Sequence, residues 1–385
     1  MTIIKGSASL HQRDGEDYAS QRAFARQLAS KFESQMRYFQ SLNLEESDET
    51  MLYWHECFYD ILKNDAVEEP PEGKWLRPSM IGSDELALWY QLNGHESDED
   101  SLKGKPRQDD RHTRWQAIGT VVGDMWQKQV LSAEYWGNKG KHDFDFRFQK
   151  LLRDYGHGKK YYPAFEEFTR TTACIGDVPV HGTCDGILEY DPRLEHGGAR
   201  PKGYGVPIRI GFEVKSKQTS YASTGGYSMK GEDPKHVQQA KTYALMYDLD
   251  YYFIVYQNCA KKSWNMTEED KQKYPDLRIF GIYISPEEKA EHVKYLKYLW
   301  ELQNSEEKPK LNLLKWNFNS YKKTILEDMT REDFAYLTNQ ILSIENGKYS
   351  AFEKKSARDA YDEIEAYMID HKGLYKDILG GKAHG

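Results

Sequence analysis

Cysteine is scarce: four occur in 385 residues, at positions 57, 174, 184 and 259, with no CxxC pair and no short metal-ligand spacing. Zinc-knuckle and ordinary iron–sulfur patterns are therefore excluded, and scattered free thiols of a reducing compartment are expected. Long apolar runs are missing as well. Nothing approaches the length of a membrane span, and the opening MTIIKGSASLHQRDGEDY lacks the charged-then-apolar layout of a secretory signal. A soluble, intracellular protein with no membrane partner is the expectation. Basic charge is not in excess either. A formal net charge of -8 argues against coating nucleic acid through bulk charge, but permits a local basic groove around an acidic metal site.

What is present suits a globular chain. The hydrophobic fraction of 39% suffices for a core, and the charged fraction of 30% gives a polar surface. The length allows two average domains, or one catalytic domain with helical additions. Residues 17–43 carry Phe24, Leu28, Phe32 and Met36 at helical spacing, and a second helical stretch covers about 50–64. NDAVEEPPEGKWLRP reads as a loop, a helix starts near Ser83, and NGHESDEDSLKGKPRQDD reads as a mobile surface loop before a helix over 111–135. From about 164 to 190 and from 206 to 218 the pattern turns to period two with β-branched residues, which predicts strands. The glycine- and proline-rich DPRLEHGGARPKGYGVP between them reads as a long hairpin connection. A helix over 233–247, strands at YYFIVYQ and LRIFGIYI, a helix opened by Ser285-Pro286-Glu287-Glu288, and further helices to about 380 complete the chain.

The chemistry concentrates in the middle. In IRIGFEVKSK, residues 208–217, Ile208, Ile210, Phe212 and Val214 alternate with Arg209, Gly211, Glu213 and Lys215. Residues two apart share a strand face, so Glu213 and Lys215 stand together on the polar one. A half-exposed strand with a solvated salt pair would show the same alternation. Upstream, Asp185 sits near Gly182 and Gly186 on a predicted strand, where aspartate is disfavoured. A hairpin between 180–190 and 208–217 would set Asp185 beside Glu213. Two hard oxygen ligands with open positions suit Mg²⁺, and a nearby lysine can act on an attacking water or steady phosphorane charge. Downstream, Gln239 and Tyr243 are four apart, on one helix face, with Val237, Ala240 and Ala244 able to pack the other.

The ordered set GTCDG, FEVKSK and QAKTY resembles the G-x-x-D-G, E-x-K and Q-x-x-x-Y motifs of the PD-(D/E)XK nuclease superfamily, in its RecB-like branch of CRISPR-associated and phage exonucleases. The resemblance covers roughly 75–303, weakly before 164 and well from there to 260. Each motif alone is weak; their order on strand, strand and helix is specific. It implies an α/β fold with a restriction-endonuclease-like core, a mixed central sheet flanked by helices, and helical regions at both ends: 1–110 helical, 111–303 the nuclease core, 304–385 a helical extension. It implies that Asp185, Glu213 and the backbone carbonyl of Val214 bind Mg²⁺ or Mn²⁺, that Lys215 acts on the attacking water, and that Gln239 and Tyr243 position the scissile strand or the lysine. The expected activity is metal-assisted hydrolysis of DNA, as an exonuclease or end-processing enzyme on free ends, in the cytoplasm of a bacterium or of a phage host. A structure-specific endonuclease, or a non-catalytic DNA-binding subunit with a decayed nuclease fold, are the alternatives.

Two departures matter. Branch members usually carry a histidine ligand in a helix reading G-T-x-x-H, whereas here Gly119-Thr120-Val121-Val122 is followed by Gly123 and then Asp124. Asp124, or a carboxylate from elsewhere such as Glu166 or Glu167, would have to complete the metal shell; Asp124 also fits a solvated helical acid. The stretch LRPSMIGSDELALWYQLNG resembles one that begins an iron–sulfur cluster in that branch, but Asp84 stands where its cysteine would be and no cysteine follows Cys259. No iron–sulfur cluster is expected, and packing by Trp89, Tyr90 and the carboxy-terminal helices would take over its stapling role. Lys217 and Lys230, with Lys235, Lys261 and Lys262, lie near the site in sequence and could contact phosphates. Gly156-His157-Gly158-Lys159-Lys160 lacks phosphate-loop spacing and reads as a surface turn. Gly225-Gly226 to Gly231 reads as a flexible loop after the E-x-K strand.

Overall fold

The computed structural model describes residues 18–64, 68–105, 110–154, 158–191, 207–260 and 262–373. The long connection after 191, residues 156 and 157 of the glycine-rich turn, Lys261, and the end of the acidic loop at 106–109 lie outside the described residues. In chain order the helices are α1 (Tyr18–Ser41), α2 (Asp48–Lys63), α3 (Glu85–Leu92), α4 (Arg111–Asn138), α5 (Glu166–Thr169), α6 (Pro234–Tyr247), α7 (Glu268–Lys273), α8 (Pro286–Glu301), α9 (Lys322–Asp328), α10 (Arg331–Asn346) and α11 (Ala351–Lys372). The strands are β1 (Phe146–Phe148), β2 (Lys150–Asp154), β3 (Lys159–Pro163), β4 (Thr171–Ile175), β5 (Val178–Gly182), β6 (Gly186–Tyr190), β7 (Ile208–Lys217), β8 (Tyr251–Asn258) and β9 (Leu277–Tyr283). No helix among the described residues is long and apolar enough to cross a membrane. All four cysteines are free thiols.

The chain divides into two compact units, one of residues 1–81 and 109–294, the other of 82–108 and 295–385. The first unit is mixed α/β: a five-stranded mixed sheet in the order β1-β6-β7-β8-β9, flanked by helices. All its pairings are antiparallel except β7–β8. A parallel pair needs a crossover, and the segment carrying α6 supplies it. One sheet face is covered by α1 and α4, with Phe32 packed between Phe146, Phe212, Phe253 and Trp126. The other face receives α6, where Tyr243 stacks on Tyr252, 6.4 Å between ring centroids. Helix α1 is amphipathic in the spacing the sequence shows, since Leu28, Phe32 and Met36 are all buried. At the start of α8 the expected capping box forms: Ser285 Oγ accepts the Glu288 N–H and Glu288 Oε2 accepts the Ser285 N–H, each at 3.2 Å.

Two expectations are corrected. Strands begin earlier than 164, because β1, β2 and β3 precede it. Their lengths of three and five residues and their Lys- and Arg-bearing outer positions hide the period. The glycine segment at 225–231 is a loop of bends and turns, as expected, and the stretch that leads into it is anchored. Ser220 caps a short 3₁₀ turn over Tyr221–Thr224, and the buried Asn258 amide donates to Ser220 O, Tyr221 O and Thr224 Oγ1 at 2.9–3.1 Å, tying the turn to the end of β8. The acidic stretch after α3 also folds locally. A 3₁₀ turn spans Asp100–Leu102, and the Asp98 N–H donates to Ser320 O at 2.8 Å.

The second unit is helical. Asp84 is its most informative residue: almost fully buried, it caps α3 by accepting the Leu86 and Ala87 N–H groups through Oδ1, while Oδ2 accepts the Asn312 N–H at 3.0 Å. Tyr90 stacks on Tyr321 and donates to Asp328 at 2.9 Å. Capping boxes open α10 (Thr330 with Asp333) and α11 (Ser350 with Glu353). Asp84→Ala would strand three N–H groups, two of them in the buried first turn of α3. The expected loss is about 2 kcal/mol, read as a lower urea midpoint, with Asp84→Asn losing less.

Candidate active site

Strand alternation on β7 turns Glu213, Lys215 and Lys217 toward α6 and Phe212 toward α1 and α4. Asp185 does not lie on a strand. It occupies the bend between β5 and β6, one residue before Gly186. The β6–β7 register pairs Gly186 with Phe212, so Asp185 stands across from Glu213, as the hairpin argument expects. With β6 ended, the β7 backbone has no strand partner at Val214 on that side, and Asp185 Oδ2 accepts the Val214 N–H at 2.5 Å. In an extended strand the N–H and C=O of one residue point to the same side, so the Val214 carbonyl is turned toward Asp185 too.

A hydrogen-bonded triangle holds the rest. Lys215 Nζ donates to Glu213 Oε1 at 2.7 Å and to Gln239 Oε1 at 2.9 Å, while Gln239 Nε2 donates to Glu213 Oε1 at 2.9 Å. Gln239 thus positions the lysine and one oxygen of the glutamate. Tyr243, one turn further along α6, reaches elsewhere: its hydroxyl donates to Thr183 O at 2.5 Å, fixing the bend that carries Asp185. Thr169 Oγ1 donates to Cys184 O at 2.7 Å and steadies the same bend from below. Glu213 Oε2 is buried and has no hydrogen-bond partner. A buried anionic oxygen left in that state is costly unless a cation or a donor arrives.

Burial sets the electrostatics. It pushes Asp185 well above the usual carboxylate range, reinforced by the charges of Glu213 and Glu166 and opposed by Lys215 and the Val214 N–H. Burial works against the Lys215 ammonium, but the Glu213 and Asp185 carboxylates outweigh it and hold the lysine above its ordinary value. Glu166, at the first position of α5, is pushed up to about 7 by burial and then by Glu167, Glu213 and Asp124. Its backbone is held by the Gln127 side chain, which accepts the Glu166 N–H at 3.2 Å, and by Thr183 Oγ1, which donates to Glu166 O at 2.5 Å. Asp124 lies one turn before Gln127 on α4 and is raised by burial; it meets the carboxylate cluster through Glu166. A Cβ at Gly123, the position of the missing histidine, would meet nothing within 4 Å.

The structure therefore brings Asp185, Glu213, Lys215 and Gln239 into one site, with Tyr243 supporting it from behind. Lys217 is one step along the same strand face, and Lys230 is exposed in the loop before α6. Glu166 is the residue that sequence reasoning held only as one of several spare carboxylates. Among the described residues, no group of three or more His, Cys, Asp or Glu side chains stands as a ready-made metal cage. Two carboxylates and a carbonyl would leave the remaining positions to water, which is the preference of Mg²⁺. The unpartnered Glu213 Oε2 and the all-oxygen donor set fit such an ion.

No family model matches the chain, and no curated protein sequence matches it. Among solved structures it is similar to one described as "Crystal structure of SSO0001", 11% identical, spanning 74% of this chain and 100% of that one, with a TM-score of 0.36.

Proposed function

We propose that the chain is a Mg²⁺- or Mn²⁺-dependent DNA nuclease with a PD-(D/E)XK core, acting on ends as an exonuclease. One observation carries the reading. Asp185, Glu213 and Lys215 converge from a bend and a strand that the register sets face to face, and one buried Glu213 oxygen has no protein partner. Asp185, Glu213 and the Val214 carbonyl would hold the ion, and Glu166 supplies the further carboxylate that the missing histidine leaves open. When bound, the ion polarises the phosphate and lowers the pKa of a water. Lys215 stays protonated between its two carboxylates and steadies negative charge developing on the phosphate, rather than abstracting a proton. Gln239 fixes the lysine, and Tyr243 fixes the aspartate bend.

The test incubates end-labelled linear, circular and single-stranded DNA with the protein and Mg²⁺ or Mn²⁺. Stepwise shortening from ends is expected. Cleavage of closed circles would assign an endonuclease instead, and absence of cleavage under either metal would overturn the enzyme reading.

The carboxylate cluster also dictates a pH dependence. The folded-state pKa of Glu166 is raised from an ordinary 4.5 to about 7, so ionising it in the fold opposes stability. That penalty is absent below the unfolded pKa, grows as pH rises toward 7, and is complete above it, reaching about 3 kcal/mol. Without divalent ions the protein should thus lose stability over this window. Added Mg²⁺ is expected to raise Tm clearly at about pH 8 and very little at about pH 5. Thermal melts with and without Mg²⁺ at both pH values decide it; an equal Tm shift at both would sink the metal assignment.

A further inference from the structure

The row of polar side chains on β7 does not stop at Lys215. Lys217 follows it on the same face, a step of roughly 6.7 Å along the strand, comparable to one nucleotide step of a sugar–phosphate backbone. Its ammonium lies 5.3 Å from the centre of the Tyr256 ring and, among the described residues, makes no ion pair within 4 Å, although the Asp233 carboxylate acts on it from further off. Tyr256 belongs to β8 and is the register partner of Lys215. Its hydroxyl accepts the Asp233 N–H at 3.0 Å and lies 2.9 Å from His236 Nδ1. That hydroxyl keeps its hydrogen and a second lone pair, so it serves either imidazole tautomer; the one protonated on Nε2 presents an N–H donor away from Tyr256. His236 sits one turn before Gln239 on α6. The helix therefore reads the strand row in order: Gln239 over Lys215 and Glu213, His236 beside Tyr256 and Lys217.

We propose that Lys217 and His236 form a second phosphate pocket that grips the phosphate next to the scissile one, with Lys217 as cation and His236 as a neutral N–H donor. Tyr256 supports both. Burial lowers the Lys217 pKa, and burial followed by the Lys215 charge lowers His236 to about 3, with the Asp233 carboxylate opposing both shifts, so the lysine is a partly desolvated cation and the histidine is uncharged at neutral pH. A partly desolvated cation without a paired carboxylate binds an incoming anion more strongly than a solvated one. The pocket rests on the nuclease reading and deepens it, because it commits the enzyme to a substrate that continues past the cleaved bond.

The experiment uses the full chain and a fluorescent oligodeoxynucleotide, single-stranded and duplex, measuring cleavage with Mg²⁺ and the salt dependence of KM. Lys217→Met is expected to raise KM about tenfold and to flatten the slope of log KM against log salt by about one phosphate contact, ~0.7–0.9. His236→Phe is expected to raise KM several-fold with the slope unchanged, and His236→Asn, which keeps an N–H donor, to recover part of the loss. In all three kcat should stay near that of the wild type. A single neutral methylphosphonate beside the scissile phosphate should weaken the wild type as much as Lys217→Met does, and should add nothing to that variant. Lys217→Arg, which keeps the charge, guards against misfolding as the cause and should retain the slope. Cleavage with normal KM in Lys217→Met and His236→Phe, or a loss confined to kcat, overturns this pocket alone. Failure of the wild type to cleave with either metal overturns the pocket and the nuclease reading together.

Discussion

Lys215→Ala is expected to slow DNA hydrolysis by about three orders of magnitude, with KM changed far less. The ammonium is held by Glu213 Oε1 and Gln239 Oε1, and its place beside the unpartnered Glu213 oxygen is where charge would develop in the transition state. The same substitution leaves two buried carboxylates without their cation. In metal-free buffer it should therefore also lower stability, by about 3 kcal/mol, the usual outcome of breaking a buried pair from one side. Divalent ions should restore much of that stability and none of the activity. This split separates a catalytic cation from a structural one. Activity that persists in the variant would place the chemistry elsewhere.

Gly281→Ala should be the most damaging methyl group added to the first unit. A Cβ at Gly281 would lie 2.0 Å from Ala25 O, 2.7 Å from Ala25 C and 2.9 Å from Ala29 Cβ. The obstruction is the backbone of α1, which cannot rotate aside as a side chain would. The helix must lift from β9, and Phe32, stacked on Phe253 at 5.4 Å between ring centroids, lifts with it. A loss of about 3 kcal/mol or more is expected, visible as a fall in the urea midpoint. Gly123→Ala is the matched control. It places its methyl in open space inside α4, where alanine favours the helix over glycine by about 1 kcal/mol. Equal effects of the two substitutions would mean that α1 does not approach β9 as described.

The parts of this molecule that repeat along the chain were legible, and the parts fixed by single long-range hydrogen bonds were not. Alternation from Ile208 to Lys215 placed Glu213 and Lys215 on one face, and the hairpin argument set Asp185 opposite. The pairing of Gly186 with Phe212 has that consequence. The i, i+4 spacing put Gln239 and Tyr243 on one side of α6, yet nothing in it distinguishes their partners. Gln239 turns to Lys215, while Tyr243 turns to a backbone carbonyl 60 residues away in sequence. Asp185 was expected on a strand because its neighbours look extended; the Thr183 hydroxyl bonded to Glu166 O helps hold a bend there instead. Glu166 owes its place to a Gln127 side chain 39 residues upstream, and such a bond leaves no period to read. The first three strands leave no readable period for a different reason. Strands of three to five residues offer too few alternations, and the outward Tyr161 blurs the polarity of β3.

The second unit draws on two separated stretches of chain, 82–108 and 295–385. Asp84 shows what this means for a polypeptide still being made. Its carboxylate awaits the Asn312 N–H, and Tyr90 awaits Tyr321, neither of which exists when the early segment leaves the ribosome. At ordinary synthesis rates the intervening 109–294 take on the order of ten to forty seconds to emerge. For that time Leu86, Leu88 and Tyr90, all buried in the finished protein, have nothing of their own unit to cover them. The first unit can complete its sheet during the wait. The order of assembly is thus written into the chain's connectivity, with the sheet-bearing unit closing before the helical one.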